Sequence, residues 1–247
     1  VITGASSGIG ATFARKLAAQ YDLLLVARRG DKLEQLAAEL RAAHSTNVEI
    51  LVADLSNPAD VALLADKLAA DVRLALLVNN AGFGTLGRFW EATLKSQEQM
   101  HQLHVMATVR LTHAALGNMV PRDQGAVINV ASVAGFVRSK GSVSYCATKS
   151  WTNIFSEGLY LELRGMGSHV KIQTLCPGFT YSEFHDAMAI QRERLAGKAL
   201  WLSAEQVVDA SLAGLQRGQL YVIPGWRYRV LTAVVSKLPS RIRLMLE

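Results

Sequence analysis

Thr3-Gly4-Ala5-Ser6-Ser7-Gly8-Ile9-Gly10 is the stretch on which the fold turns. It follows a short apolar run, Val1-Ile2, and opens a periodic segment from Ile9 to Gln20. Glycines at a strand–helix turn let the chain bend tightly and bring its backbone close to a pyrophosphate. The helix N-terminus behind them offers unpaired N–H groups and a positive dipole end. The candidate contacts are Gly4, Ser6, Ser7, Gly8, Ile9 and Gly10. Their spacing is Gly-x-x-x-Gly-x-Gly, not the commoner Gly-x-Gly-x-x-Gly. Taken alone, such a turn is also what a plain strand–helix connection looks like. Its weight depends on what lies around it.

Working outward, short apolar runs alternate with longer amphipathic ones. Strands are predicted at Val1-Ile2, Leu23 to Ala27, Val48 to Val52, Leu74 to Val78, Ala126 to Val130, Val170 to Leu175 and Leu220 to Ile223. Helices are predicted at Ile9 to Gln20, Lys32 to Ala43, Pro58 to Ala70, Ser96 to Met119, Ser144 to Arg164 and Ala204 to Leu215. Near-continuous apolar strands are what a parallel sheet covered by helices on both faces requires. The alternation predicts a doubly wound α/β fold of about seven strands, with ligands beyond the carboxyl ends of the strands. No linker, repeat or low-complexity run divides the chain, so residues 1–247 read as one domain.

Half of the 247 residues are apolar and 19% are charged, which excludes a disordered or coiled-coil chain. No run of about 18 apolar residues is free of charge, so no membrane-spanning helix is predicted. From Gly225 onward, Arg227, Arg229, Lys237, Arg241 and Arg243 face only Glu247, a net +4 of the total +6. The body is therefore nearly neutral, and no nucleic-acid surface is implied. Cys146 and Cys176 have neither metal-ligand nor disulfide spacing. A cytoplasmic protein is expected. The sequence opens at Val1 in mid-strand, so residues upstream are expected and a leader is left open.

Strand ends carry the remaining signals. The second strand ends in Arg28 and Arg29, where an NAD site would place an acidic residue for the ribose hydroxyls. A guanidinium there can hold a 2′-phosphate through a bidentate, charge-assisted contact, Arg28 being nearer the strand end. Asp54, followed by Leu55, can accept a bond from an adenine amino group or cap a turn before Asn57-Pro58. Asn79-Asn80-Ala81-Gly82 closes the fourth strand, and Asn80, Ala81 and Gly82 suit a crevice floor or a plain turn.

Strand five runs into Ser132. Tyr145 follows thirteen residues later, and Lys149 lies one helical turn beyond it on the same face. A free tyrosine titrates near 10, and a neighbouring ammonium favours its phenolate, so a lowered Tyr145 pKa is expected. Ser132 can hydrogen-bond a substrate oxygen as charge develops on it. Each residue alone is commonplace; the three together, behind a nucleotide turn, are not.

Thr3 to Gly10, Asn79 to Gly82, Ser132, Tyr145-Cys146-Ala147-Thr148-Lys149 and Pro177-Gly178 together resemble the short-chain dehydrogenase/reductase family in its classical form. The match is ordered and spans residue 3 to about 180. The resemblance implies a Rossmann fold of seven parallel strands and an NADP(H)-dependent enzyme acting on alcohol or carbonyl groups. It implies that Tyr145 transfers the proton, that Lys149 also binds the nicotinamide ribose, that Ser132 positions the carbonyl, and that Pro177, Gly178 and Thr180 form the nicotinamide-side loop. Arg28 matches a position where NADP-preferring members carry a basic residue. One departure is His104, which stands where the family has an asparagine that holds a proton-relay water. A histidine there either titrates in the relay or simply packs.

Substrate contacts are expected from Phe83, Val133 and Phe136, and from Phe184 and Met188 in a lid over residues 180–201. The substrate is read as a small apolar or amphipathic carbonyl compound. The basic amphipathic extension, 225–247, is read as a packing or subunit contact in a homodimer or homotetramer, with peripheral membrane contact the less favoured option. Two alternatives stand beside the NADPH-dependent reductase: a non-catalytic NADP(H)-sensing module, which has no need of all three residues Ser132, Tyr145 and Lys149, and a membrane-associated lipid-pathway ketoreductase.

Overall fold

The computed structural model describes residues 1–183, 197–239 and 241–242. The first half alternates strictly: β1 (Ile2–Thr3), α1 (Gly8–Leu17), β2 (Leu23–Ala27), α2 (Gly30–Ala43), β3 (Val48–Val52), α3 (Pro58–Ala70) and β4 (Leu76–Asn79). The second half runs α4 (Leu94–His101), α5 (Thr108–Met119), β5 (Ala126–Val130), α6 (Val143–Gly165), β6 (Lys171–Leu175), α7 (Ala204–Gln216), β7 (Tyr221–Val222) and α8 (Trp226–Lys237). Among the described residues the strands form one parallel sheet in the order β3-β2-β1-β4-β5-β6-β7. The switch point lies at β1, between the two directions of winding, where such sheets place ligands.

Side-chain alternation along the strands divides the core between the two faces. Leu23, Leu25 and Ala27 of β2 pack with Phe13 and Leu17 of α1, Leu33 and Leu40 of α2, and Val207 and Val208 of α7. Leu24 and Val26 face the other way, toward Val61, Leu64 and Leu68 of α3 and Leu111 and Met119 of α5. Local chemistry sets several helix starts. Asn57 accepts the Ala59 N–H ahead of Pro58 at the first turn of α3, and Ser203 with Gln206 forms a reciprocal capping box on α7.

One element differs from expectation, and the C-terminal tail takes a definite form. The helix predicted from Ser96 to Met119 is one path but not one helix. A π-helical segment, Gln102–Ala107, separates α4 from α5, and His104 sits inside it. Such a bulge is a common device for turning one side chain toward a site. The tail folds as α8 with Tyr228 and Thr232 buried and Trp226, Val230 and Val234 exposed. No helix among the described residues is long and apolar enough to cross a membrane.

Candidate active site

The floor of the site is stitched by Thr3. Its Oγ1 donates to the Val78 carbonyl (3.2 Å) and accepts the N–H groups of Asn80 (2.9 Å) and Ala81 (3.0 Å). Asn80 Nδ2 returns bonds to the carbonyls of Thr3 (2.9 Å) and Gly4 (3.2 Å). The ends of β1 and β4 are thus tied by one buried hydroxyl and one amide. Sequence reading passed over Thr3; the available signal was a hydroxyl residue directly before a glycine turn.

Gly4 and Gly8 hold φ of 65° and 53°, which favours glycine. Gly10 is demanded by proximity instead: a Cβ there would lie 2.3 Å from the Gly4 carbonyl oxygen. Ser7 precedes α1 in an extended conformation and makes no side-chain cap, so the first-turn N–H groups stay open. An uncapped N-terminus behind a glycine-rich turn fits a dinucleotide pyrophosphate.

Of the two arginines, Arg29 is the one that reaches this turn. Its guanidinium donates to Ser6 Oγ (3.0 Å) and Ser7 Oγ (3.0 Å) and pairs with Glu183 at 2.7 Å. Arg29 holds the Glu183 carboxyl below its usual range. Arg28, the stronger candidate by position, is exposed. Asp54 is engaged locally: its Oδ1 accepts both the N–H (3.0 Å) and the hydroxyl (2.8 Å) of Ser56. That is the turn-capping arrangement. Leu55 behind it is buried core.

At the end of β5, Ser132 Oγ accepts the Ala134 N–H (3.1 Å) and lies 3.4 Å from the Pro177 carbonyl. Its side chain also shares a hydrogen bond with the Tyr145 phenol. Lys149, one turn along α6, is buried, donates to the Val130 carbonyl (2.8 Å) and lies 5.7 Å from the Tyr145 ring centre. The three side chains therefore converge. The expected lowering of Tyr145 does not occur in this arrangement: burial pushes the phenol up to about 12. Burial lowers the Lys149 ammonium to about 8. Desolvation decides both shifts: it outweighs the Ser132 hydrogen bond that lowers the phenol, and it penalises the ammonium, whose Nζ bonds a carbonyl rather than the phenol.

His104 is buried between the same elements. Its Nε2 accepts the Phe83 N–H (3.2 Å) and its Nδ1 meets Thr148 Oγ1 (3.0 Å), while Thr148 Oγ1 donates to the Tyr145 carbonyl (3.0 Å). With Thr148 donating onward, Nδ1 carries the ring proton. Burial and then the charge of Lys149 hold the ring well below its usual pKa. Of the two roles open for His104, the geometry supports packing and positioning over titration. The edge of its ring faces Tyr145 at 5.9 Å, and a Cβ on Gly82 would come within 3.0 Å of Nε2.

Phe83 flanks His104 at 5.9 Å, and the half-buried Val133 donates its N–H to the Pro177 carbonyl (2.9 Å). Phe136 packs on Tyr221 at 5.9 Å. After Pro177 and Gly178, Thr180 is buried and donates to the Gly178 carbonyl (3.0 Å). Phe184 and Met188 lie outside the described residues.

Known proteins share this arrangement of strands and turns. The model of the short chain dehydrogenases matches residues 1–193. A short-chain dehydrogenase from Sphingobium yanoikuyae, solved with NADPH, is 36% identical with a TM-score of 0.86, over 97% of this chain and 95% of that one. The bulky-bulky ketone specific alcohol dehydrogenase from Comamonas testosteroni is 30% identical (TM-score 0.81) over 97% and 94%. A short chain dehydrogenase/reductase from Burkholderia phymatum, solved with NAD, is 28% identical (TM-score 0.83) over 99% and 93%. The chain belongs to the short-chain dehydrogenase/reductase family. It is accordingly an NAD(P)-dependent oxidoreductase of alcohol and carbonyl groups.

Proposed function

We propose that the protein reduces a ketone or aldehyde with NADPH, Tyr145 giving the proton. One observation carries the reading: Ser132 shares a hydrogen bond with a phenol held neutral up to about 12, beside a buried lysine. A bound nicotinamide supplies the hydride. Ser132 Oγ orients the carbonyl oxygen, Tyr145 Oη protonates it, and Lys149 stabilises the phenolate left behind. A neutral phenol at neutral pH is the form that donates the proton in carbonyl reduction.

The preference for NADPH rests on Arg28 and Arg29 at the end of β2, where the strand end itself carries no acidic residue; a 2′-phosphate would compete with Glu183 for Arg29. Arg29 already reaches Ser6 and Ser7. The remaining cofactor contacts fall to the Gly4–Gly10 turn, Asn80 to Gly82, and Pro177 to Thr180, with Lys149 on the ribose. The likeness to a ketone-specific alcohol dehydrogenase, together with Phe83 beside His104, supports apolar or amphipathic carbonyls as substrates.

Tyr145→Phe tests the chemistry. Hydride transfer to a panel of aryl and alkyl ketones should fall by about 10³-fold or more while NADPH still binds. Substantial turnover by that variant would sink the assignment. Arg28→Asp and Arg29→Asp, measured separately, should each lower the ratio of specificity constants for NADPH over NADH; a ratio unchanged in both would remove the phosphate role.

A further inference from the structure

The C-terminal helix has an inner face whose purpose the sequence did not disclose. Tyr228, on the first turn of α8, is 4% exposed. Its Oη accepts the Phe179 N–H (2.9 Å) and donates to the Leu200 carbonyl (2.7 Å). Its ring packs directly against Gly178: a Cβ there would sit 2.0 Å from Cζ and 2.2 Å from Cε2. Gly178 is not among the positive-φ glycines, so the ring, not the backbone, excludes a side chain at this position.

The loop so gripped is tied to the reacting groups on its other side. The Pro177 carbonyl accepts the Val133 N–H (2.9 Å) and lies 3.4 Å from Ser132 Oγ. Further along, the Phe179 carbonyl accepts the Leu202 N–H and the Leu202 carbonyl accepts the Tyr181 N–H, both at 2.9 Å. Residues 177–181 thus form a short bridge between Ser132 and the Leu200–Leu202 strip, and Tyr228 is the prop beneath its centre. Tyr228 is itself fixed by Thr232, whose hydroxyl donates to its carbonyl (2.8 Å), and by Arg227, which donates to the Ala199 carbonyl (3.3 Å).

We infer that Tyr228 is a positioning residue for hydride transfer: its ring and hydroxyl set the Pro177–Thr180 backbone against Ser132, and with it the nicotinamide side of the cofactor site. This rests on the reductase reading above. Reacting groups misplaced by about 1 Å cost on the order of 10²-fold in rate, so a loop propped at one point should show the loss of that prop in kcat.

Tyr228→Phe keeps the ring on Gly178 and removes both hydroxyl bonds. With benzil as the carbonyl probe, kcat should fall about 10-fold and the KM for NADPH should rise several-fold. The fraction of sites that bind NADPH at saturation, read by quenching of protein fluorescence, should stay unchanged. A purely structural tyrosine would lower that fraction and leave kcat per site intact, which would overturn the inference. Gly178→Ala alone should cost about 100-fold in kcat/KM, and adding Tyr228→Ala should recover at least about 10-fold of it. Losses that simply multiply would also overturn it. If the unaltered protein fails to reduce benzil or the wider ketone panel, the reductase reading fails by itself. The NADPH dissociation constants of the same variants still decide the loop inference, and values equal to the unaltered protein's would refute it.

Discussion

His104 occupies a place where a ring has no freedom to titrate. Protonating Nε2 would break its bond from the Phe83 N–H and bury a second cation beside Lys149. A histidine whose folded pKa lies below its unfolded value, near 6.5, stabilises the protein above that value, and the contribution is lost as pH falls. Urea midpoints should therefore decline below about pH 6.5, and His104→Asn should flatten that decline; an identical slope in the variant would refute the assignment. Lys149 follows the same sign in a higher pH window. Its ammonium is charged below about 8 in the folded protein but below 10.5 in an unfolded chain, so its destabilising burial is complete at neutral pH and is relieved as pH rises between those values. Lys149→Met should accordingly abolish turnover and yet stabilise the fold at pH 7 by about 1–3 kcal/mol in denaturant titration. A destabilised variant would show that the bond to Val130 outweighs the buried charge.

The turn after β1 is the element where shape alone decides. Gly10→Ala sets a methyl against the Gly4 backbone carbonyl, which cannot swing aside, and against Asn80 Nδ2. It should cost about 2–3 kcal/mol in chemical denaturation and weaken NADPH by more than 10-fold. A variant that binds NADPH normally would mean the turn can widen. Most elements of this kind were legible in the sequence. β2, β3, β5 and α3 have the predicted boundaries, because apolar runs bounded by turn residues or by Asn57-Pro58 leave little choice. Ser132, Tyr145 and Lys149 were legible by spacing, and their convergence follows once β5 and α6 are adjacent. What stayed hidden depends on contacts distant in sequence. Thr3 acts through Asn80, Arg29 rather than Arg28 reaches Ser6 and Ser7, and Tyr228 acts through Gly178, fifty residues away. The π-helical break at His104 has no signature in residue type. The lowered Tyr145 pKa was misjudged because burial depth, which decides the sign, is a property of the folded chain.

Across the whole molecule, α8 joins the site to the surface. Tyr228 and Thr232 point inward, while Trp226, Val230 and Val234, four residues apart, present an exposed apolar stripe beside Arg227 and Lys237. Our reading of that stripe is a subunit contact. Sedimentation should show an oligomer that Val230→Glu with Val234→Glu weakens, while flotation with anionic vesicles stays at background. Flotation that the same pair abolishes would transfer the stripe to a membrane surface. The two cysteines are buried, and burial pushes the Cys176 thiol up to about 12. A thiol so protected is almost free of thiolate at neutral pH and closed to reagents, so maleimide can reach it only when the molecule opens. The protein thus carries a clock for its own breathing. A dinucleotide that binds only the native form should slow the labelling of Cys176 in proportion to its occupancy; labelling indifferent to added NADPH would locate the opening away from the nucleotide turn.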